Sequence, residues 1–323
     1  MAMSRYKCGI VAVLGFMAAM LFSCELEQEV AIPDHEPKLT LRLTLRNEIP
    51  DTSGHEGNLY IGRSQSVLDA KQELTGIDNA TVRLYDEAGQ LVELYKHTGI
   101  GLYHYTGAGY YEPVRYTIPE PGKVYRIEAA APGYKTIEST IKMPAKTIVS
   151  EASFTDTIAT DMGYFKILEG NLKVTIQDDR SEQNYYMIYV TPRDRNLRFM
   201  DLYYRYIPDE TGGIIKQDKL RLGTVFSDEL FQSGQIVFTS KLSVFSESKI
   251  YEHGVESELK FAFLEIRVEQ LTRDEYLFQK TLQSQRDNDG NPFAEYTQVH
   301  SNVRNGYGVL GGVTITSYLL PVR

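Results

Sequence analysis

Leu39-Thr-Leu-Arg-Leu-Thr-Leu-Arg46 alternates strictly between aliphatic and polar side chains. A period of two puts Leu39, Leu41, Leu43 and Leu45 on one face, which predicts a half-buried strand. Similar runs predict strands over 80–85 and 91–96, joined as a hairpin by the glycine-containing loop Asp86-Glu-Ala-Gly89. Short tyrosine-rich strands or loop edges follow over 101–106 and 110–116. Strands over 124–130 and 136–141 flank Ala131-Pro-Gly-Tyr134, a turn in which Pro fixes φ and Gly takes a positive φ. Met143-Pro144 closes the stretch. Short strands with frequent turns over 38–145 predict an immunoglobulin-like or transthyretin-like sandwich.

The pattern continues as β beyond residue 145. Apolar and β-branched runs predict strands over 172–176, 185–191, 202–207 and 214–222, with Asp209-Glu-Thr-Gly-Gly213 as a turn. Longer strands are expected over 235–245 and 259–271. In the second of these, Phe261, Phe263 and Leu264 stand beside Glu265, Arg267 and Glu269, which predicts one buried and one wet face. One helix is expected over 272–285. Thr272-Arg-Asp-Glu275 has the spacing of a capping box, Leu271 and Tyr276 that of a hydrophobic staple, and Asp287-Asn-Asp-Gly-Asn-Pro292 is a loop sequence. Strands over 299–303 and 313–320 surround Gly306, Gly308, Gly311 and Gly312, where glycine marks a bulge or a close backbone approach. The predicted fold class is all-β, mainly strand with one C-terminal helix. The sandwich of 38–145 is followed by a larger antiparallel β domain over 146–323, and the length of 323 residues fits two domains.

The N-terminus has a different pattern. Arg5 and Lys7 precede Ile10–Phe22, an apolar stretch of 13 residues. A helix needs about 20 residues to span a bilayer, so this is signal-peptide length. It ends Leu21-Phe22-Ser23-Cys24, which resembles a bacterial lipobox. That resemblance implies cleavage after Ser23, lipidation of Cys24 and an N-terminal acyl anchor in a lipid bilayer. Residues 1–23 are then the signal peptide and 24–37 a tether. Its Glu25-Leu-Glu-Gln-Glu29 resembles an acidic export signal that carries lipoproteins to the outer-membrane surface. Cys8 leaves with the signal, so the mature chain has a single Cys and no internal disulfide.

Charge narrows the partners. The chain has 34 Lys and Arg against 43 Asp and Glu, and loss of Arg5 and Lys7 leaves 32 against 43. An acidic chain without a basic stripe is a poor ligand for nucleic acid. None of the six His falls in a zinc-binding motif, and no nucleophile elbow or phosphate-binding loop occurs. No cofactor, metal site or catalytic residue is assigned. The pairs Asp178–Asp179 and Asp228–Glu229 have the residue types of glycoside hydrolysis, which needs two acids about 5–10 Å apart. They are read instead as solvated or turn residues, because paired acids among 43 carry little information. Aligning Gly290 with the EF-hand glycine puts Gln285 and Tyr296 where acids are required, so that calcium motif fails. The chain has 23 Tyr and no Trp. Tyr103, Tyr105, Tyr110 and Tyr111 lie among glycines, as in adaptable binding loops, and form the candidate binding loop. Tyr also favours half-buried strands, which is the competing structural role.

Three stretches carry a family resemblance. They are Tyr60-Ile-Gly-Arg-Ser64 with Asn79–Gly89, then Phe226-Ser-Asp-Glu-Leu-Phe231, then Leu271–Gln285 with His300-Ser-Asn-Val-Arg-Asn-Gly-Tyr-Gly-Val-Leu-Gly-Gly312. Together they resemble a Bacteroidetes lipoprotein family known as domain of unknown function 4249. Leu310 departs from it where an aromatic residue is more usual. The resemblance implies a surface lipoprotein with an N-terminal Ig-like domain, encoded beside TonB-dependent outer-membrane receptors. It supplies no catalytic residues. The expected function is a non-catalytic outer-membrane accessory or ligand-binding module with a TonB-dependent receptor as partner. A structural or adhesive surface module is the alternative, and a surface hydrolase a third.

Overall fold

The computed structural model describes residues 35–48, 59–66, 75–100, 107–162, 166–198, 204–207, 223, 225–231, 234–245, 247–251, 254–258, 262–288 and 297–322. Cys24 and Ser23, Tyr103 and Tyr105, and the strand expected over 214–222 lie outside these residues. Met1–Glu36 and Pro37–Arg323 are separate units, and every described strand and helix belongs to the second.

The strands are β1 (Leu39–Arg46), β2 (Leu59–Arg63), β3 (Thr81–Asp86), β4 (Leu91–His97), β5 (Tyr110–Pro113), β6 (Val124–Ala130), β7 (Ile137–Lys142), β8 (Ile148–Asp161) and β9 (Lys166–Gln177). They continue as β10 (Tyr185–Arg193), β11 (Tyr204–Ile207), β12 (Phe226–Ser227), β13 (Gln235–Phe245), β14 (Glu247–Tyr251), β15 (Gly254–Glu258), β16 (Phe263–Leu271) and β17 (Tyr307–Pro321). Among the described residues one α-helix, α1, spans Arg273–Asn288. The chain is thus mainly β with one C-terminal helix, as the hydropathy pattern predicts.

Eleven strands form one sheet in the order β12-β10-β16-β17-β1-β2-β5-β4-β3-β6-β7. It contains the parallel pairing of β1 with β17, from Thr40↔Tyr307 to Arg46↔Val313. The first and last described strands therefore lie side by side, and one hydrogen-bonded sheet holds strands from both sides of residue 145. The strands of 38–145 curl around a core that includes Leu39, Leu41, Leu43, Leu45, Ile61, Leu84 and Ile127, joined by Val303 and Leu310. Burying each large aliphatic side chain contributes about 1.5–3 kcal/mol. The alternating leucines of β1 are all inward, as their period requires. The curl is completed by residues just before β17, because Arg304 and Glu138 exchange backbone hydrogen bonds.

A second core lies between this sheet and a four-stranded sheet of order β11-β13-β9-β8. Leu172, Val174 and Ile176 of β9 and Ile236, Phe238 and Leu242 of β13 meet Tyr186, Ile188, Leu264, Ile266 and Val268 of β10 and β16. β14 and β15 form a separate two-stranded ribbon.

The turn chemistry follows expectation. Gly89 has φ +75° and Gly133 φ +83°. Asp86 stabilises the first turn by accepting at Oδ1 from Gln90 N at 2.8 Å.

Three expectations need correction. The face of β16 that carries Glu265, Arg267 and Glu269 is not wet, because Glu265 and Glu269 are buried. Arg193 pairs with Glu265, Arg46 with Glu269 at 3.0 Å, and Arg267 with Glu48. Paired charges can be buried, so alternating charge along a strand does not by itself mean solvent. Residues 299–303 form no strand. The helix runs to Asn288, beyond the expected end at 285.

Candidate functional site

Tyr110 and Tyr111 sit on β5, and their side chains have different surroundings. Tyr110 is half-buried, with its ring edge-on to Tyr60 at 5.2 Å. Tyr111 is 1% exposed. Its hydroxyl accepts from Ala80 N and donates to Ile77 O, both at 2.8 Å. A buried ring with an occupied hydroxyl pins the 77–80 segment to β5. Tyr111 is therefore a core anchor, in line with its structural reading.

The segment after β5 is built in an unusual way. Glu93 on β4 is 2% exposed. Its Oε1 accepts from the backbone N–H of Leu94, Val114 and Arg115 at 2.9, 3.1 and 2.9 Å, and its Oε2 from Thr117 N at 2.9 Å. Burial alone would raise its pKa. The N–H groups of Thr117, Arg115 and Leu94 outweigh burial and hold the carboxyl below its ordinary value. The clamped backbone includes Tyr116 at φ +55°. It leaves Val114, Tyr116 and Ile118 exposed, beside exposed Leu91 and Leu94 on β4.

The start of α1 is a second built feature. The expected capping box forms only in part. Thr272 Oγ1 accepts from Glu275 N at 3.3 Å, but Thr272 N donates to Gly312 O at 2.8 Å rather than to Glu275. The Glu275 carboxylate turns the other way. It takes a bidentate pair from Arg42 at 2.8 and 2.7 Å, and further hydrogen bonds from Thr44 at 3.1 Å and Gln279 at 2.7 Å. Burial opposes its ionisation, while the Arg42 charge and these hydrogen bonds outweigh burial and keep its pKa low. Leu271 and Tyr276 do meet in one apolar cluster with Tyr185, Val313 and Ile315, as a staple requires.

One cavity has a volume of about 410 Å³. It lies where the end of β7 and the Met143-Pro144 segment, the turn before β10 and the start of α1 come together. Gln270 and Asn184 line it and are both buried. Thr147 donates to Gln270 Oε1 at 2.8 Å, and Gln270 Nε2 donates to Asn184 Oδ1 at 2.7 Å. Asn184 in turn gives its amide protons to the carbonyls of Asp179 and Glu182 at 2.7 and 3.1 Å. Its backbone N–H donates to Asp228 Oδ2 at 2.7 Å.

The two acidic pairs singled out in the sequence are thus joined through Asn184 at one end of the second core. Asp178 accepts from the buried Tyr186 hydroxyl at 2.8 Å. Burial, with the Asp178 charge adding to it, raises the Asp228 pKa against the hydrogen bond from Asn184. Asp179 moves down instead, held by Ser181. Asp178–Asp179 lies between β9 and β10, and Asp228–Glu229 begins the 3-10 turn that follows β12. Among the described residues no group of three or more His, Cys, Asp or Glu is placed to hold a metal.

The family ending is also spent on joints. Asn302 acts as a strand partner for β17: its Oδ1 accepts from Leu310 N at 3.0 Å and its Nδ2 donates to Leu310 O at 2.9 Å. Gly308 has φ +105°, and a Cβ there would lie 1.9 Å from Leu41 O. A Cβ on Gly311 would lie 1.9 Å from Glu275 Oε2. The glycines thus let β1 and the helix start approach the last strand.

A family model described as a domain of unknown function, DUF4249, matches residues 27–318. The chain belongs to that family. No curated protein matches it. The DUF4249 match covers both cores, the cavity and the helix start. Sequence reasoning missed the clamping role of Glu93 and the Arg42–Glu275 pair. A lone Glu in a strand and an Arg 233 residues from its partner leave no local pattern.

Proposed function

We propose that this DUF4249 protein is a lipid-anchored module of the outer-membrane surface, which binds a ligand or a TonB-dependent receptor and carries out no chemistry itself. The observation that carries the reading is how its most reactive-looking side chains are used. Glu93, Glu275, Glu269, Asp228 and Asn302 are engaged in clamps, ion pairs and strand-like pairing within the fold. The Leu21–Cys24 sequence supports the anchor, and the lipid would keep the module at high local concentration beside a membrane partner. The transporter partnership rests on family resemblance.

The test is purification of the native protein from detergent-solubilised outer membrane, with mass spectrometry of the proteins that co-purify. Recovery of a TonB-dependent barrel is expected. Recovery of the lipoprotein alone would favour the second reading, a structural or adhesive surface module. The exposed apolar side chains of Leu91, Leu94, Val114, Tyr116 and Ile118 favour that reading, since exposed apolar surface suits protein contact. Cys24→Ala should abolish metabolic labelling by palmitate. Protease treatment of intact cells should cleave the protein if it faces outward.

A further inference from the structure

The cavity at the start of α1 carries a half-used buried carboxamide. Gln270 is 7% exposed. A carboxamide has two protons and two oxygen lone pairs to offer. Gln270 uses one proton on Asn184 and one lone pair on Thr147. One donor and one acceptor of the same buried group therefore remain at the cavity wall, without a partner among the described residues. The backbone N–H and C=O of a single residue are the complement of that pair, as Leu310 N and O are for the Asn302 carboxamide.

The rest of the wall gives the ligand a direction. Lys142 and Arg273 line the cavity, and Arg273 lies against the Tyr185 hydroxyl. Asp274 also lines it, but its carboxylate is taken by His300 Nε2 at 2.8 Å. Glu182 is the remaining acid of the wall. Lys142 and Arg273 thus stand beside two acids, Asp274 and Glu182, so the wall is balanced in charge within a chain of 34 cationic and 43 acidic residues. Ile141, Met143 and Leu271 add apolar surface. A volume near 410 Å³ falls within the usual span of small-ligand sites, about 300–1,000 Å³.

We infer that this cavity binds the carboxyl-terminal end of a short peptide, with the backbone N–H and C=O of one residue on Gln270 and the free carboxylate held by Arg273 and Lys142. The inference gives a ligand class to the binding-module reading. It rests on that reading only in calling the chain a binder, and does not need the lipid anchor or the transporter.

The test is calorimetric titration of the full-length protein in detergent with the tripeptide alanyl-alanyl-leucine, its C-terminal amide and its N-acetyl derivative. The free-acid peptide should bind at one site. Amidation of its carboxylate, or the double change Lys142→Gln with Arg273→Gln, should each weaken binding by tenfold or more, with the melting temperature of the variant unchanged. Both cations are exposed, so the variant should fold. Equal binding of the N-acetyl peptide would identify the ligand as the tail of a longer chain. Loss on acetylation would identify it as a free peptide. Absence of saturable binding at millimolar free-acid peptide, or equal binding of acid and amide, would overturn the assignment. Receptor recovery from membranes is a separate readout, so failure here and failure of the anchored-module reading can be told apart.

Discussion

Arg42 on β1 and Glu275 on α1 are 233 residues apart in sequence and meet in a bidentate ion pair. Glu275 is 1% exposed, and the ring of Phe278 lies 4.6 Å from the Arg42 guanidinium. The pair stitches the first strand to the only described α-helix, directly above the parallel β1–β17 pairing. Removing one partner of a buried pair costs about 3–5 kcal/mol, because the other charge stays behind uncompensated. Arg42 is partly exposed, so Arg42→Met should fall at the lower end of that range. Glu275→Gln removes the stranded charge and should cost less. Urea unfolding midpoints of the two variants test the order, and a larger loss for Glu275→Gln would contradict it.

The same carboxylate explains a glycine. The space that a side chain would fill at Gly311 is occupied by Glu275 Oε2. Gly311→Ala must push the carboxylate off Arg42 and should destabilise about as much as breaking the pair. Gly89→Ala is a useful contrast: it has open space but φ +75°. Strain at a single left-handed position costs about 1–3 kcal/mol. In an Arg42→Met background the loss from Gly311→Ala should shrink, while that from Gly89→Ala should not. Thermal melts of the single and double variants measure this coupling.

The strands of the first core are legible in the sequence because each has one buried and one open face. The leucines of β1 and the turns at Gly89 and Gly133 follow from that alternation and from turn chemistry. β8 is not legible. It is an edge strand rich in Ser, Thr, Asp and Glu and exposed along most of its length, so it lacks an apolar rhythm. Pairing with β9 makes it a strand. β16 misleads in the opposite sense, since its charges are buried against arginines from other elements. The helix start is legible as a cap, but the partner of Glu275 lies on β1 and no spacing rule reaches that far. Glycines 306 to 312 signal close approach, and the approaching groups become visible only with Leu39, Leu41 and Glu275 in place.

Asn302 pairs with β17 through its side chain. Its carboxamide satisfies both backbone groups of Leu310, which is fully buried. Asn302→Ala leaves a buried N–H and C=O unpaired, at about 1–3 kcal/mol for each group left bare. Asn302→Asp keeps the acceptor for Leu310 N but loses the donor to Leu310 O, and should be intermediate. Amide hydrogen exchange at Leu310 should speed up strongly in the Ala variant and much less in the Asp variant. Equal rates in both would mean that Asn302 Oδ1 does not protect that amide.

Glu93 and Glu275 predict how stability depends on pH. Both carboxyls lie below their ordinary value of 4.5 in the folded protein. A depressed folded-state pKa contributes stability that is present above the unfolded value and is lost as pH falls through the folded one. The protein should therefore hold its stability from neutrality down to about pH 4.5 and lose it below, through these two groups among others. Glu93→Gln separates the first contribution. The neutral side chain brings N–H protons towards backbone N–H groups that need an acceptor, so stability at neutral pH should drop by about 2–3 kcal/mol, the scale of hydrogen bonds to a charged group. The variant should also lose part of the acid sensitivity, because no proton is taken up at that site on unfolding. Denaturant midpoints at neutral pH and below pH 4.5, for wild type and variant, measure both effects. A variant with unchanged acid sensitivity would show that Glu93 is not ionised in its clamp.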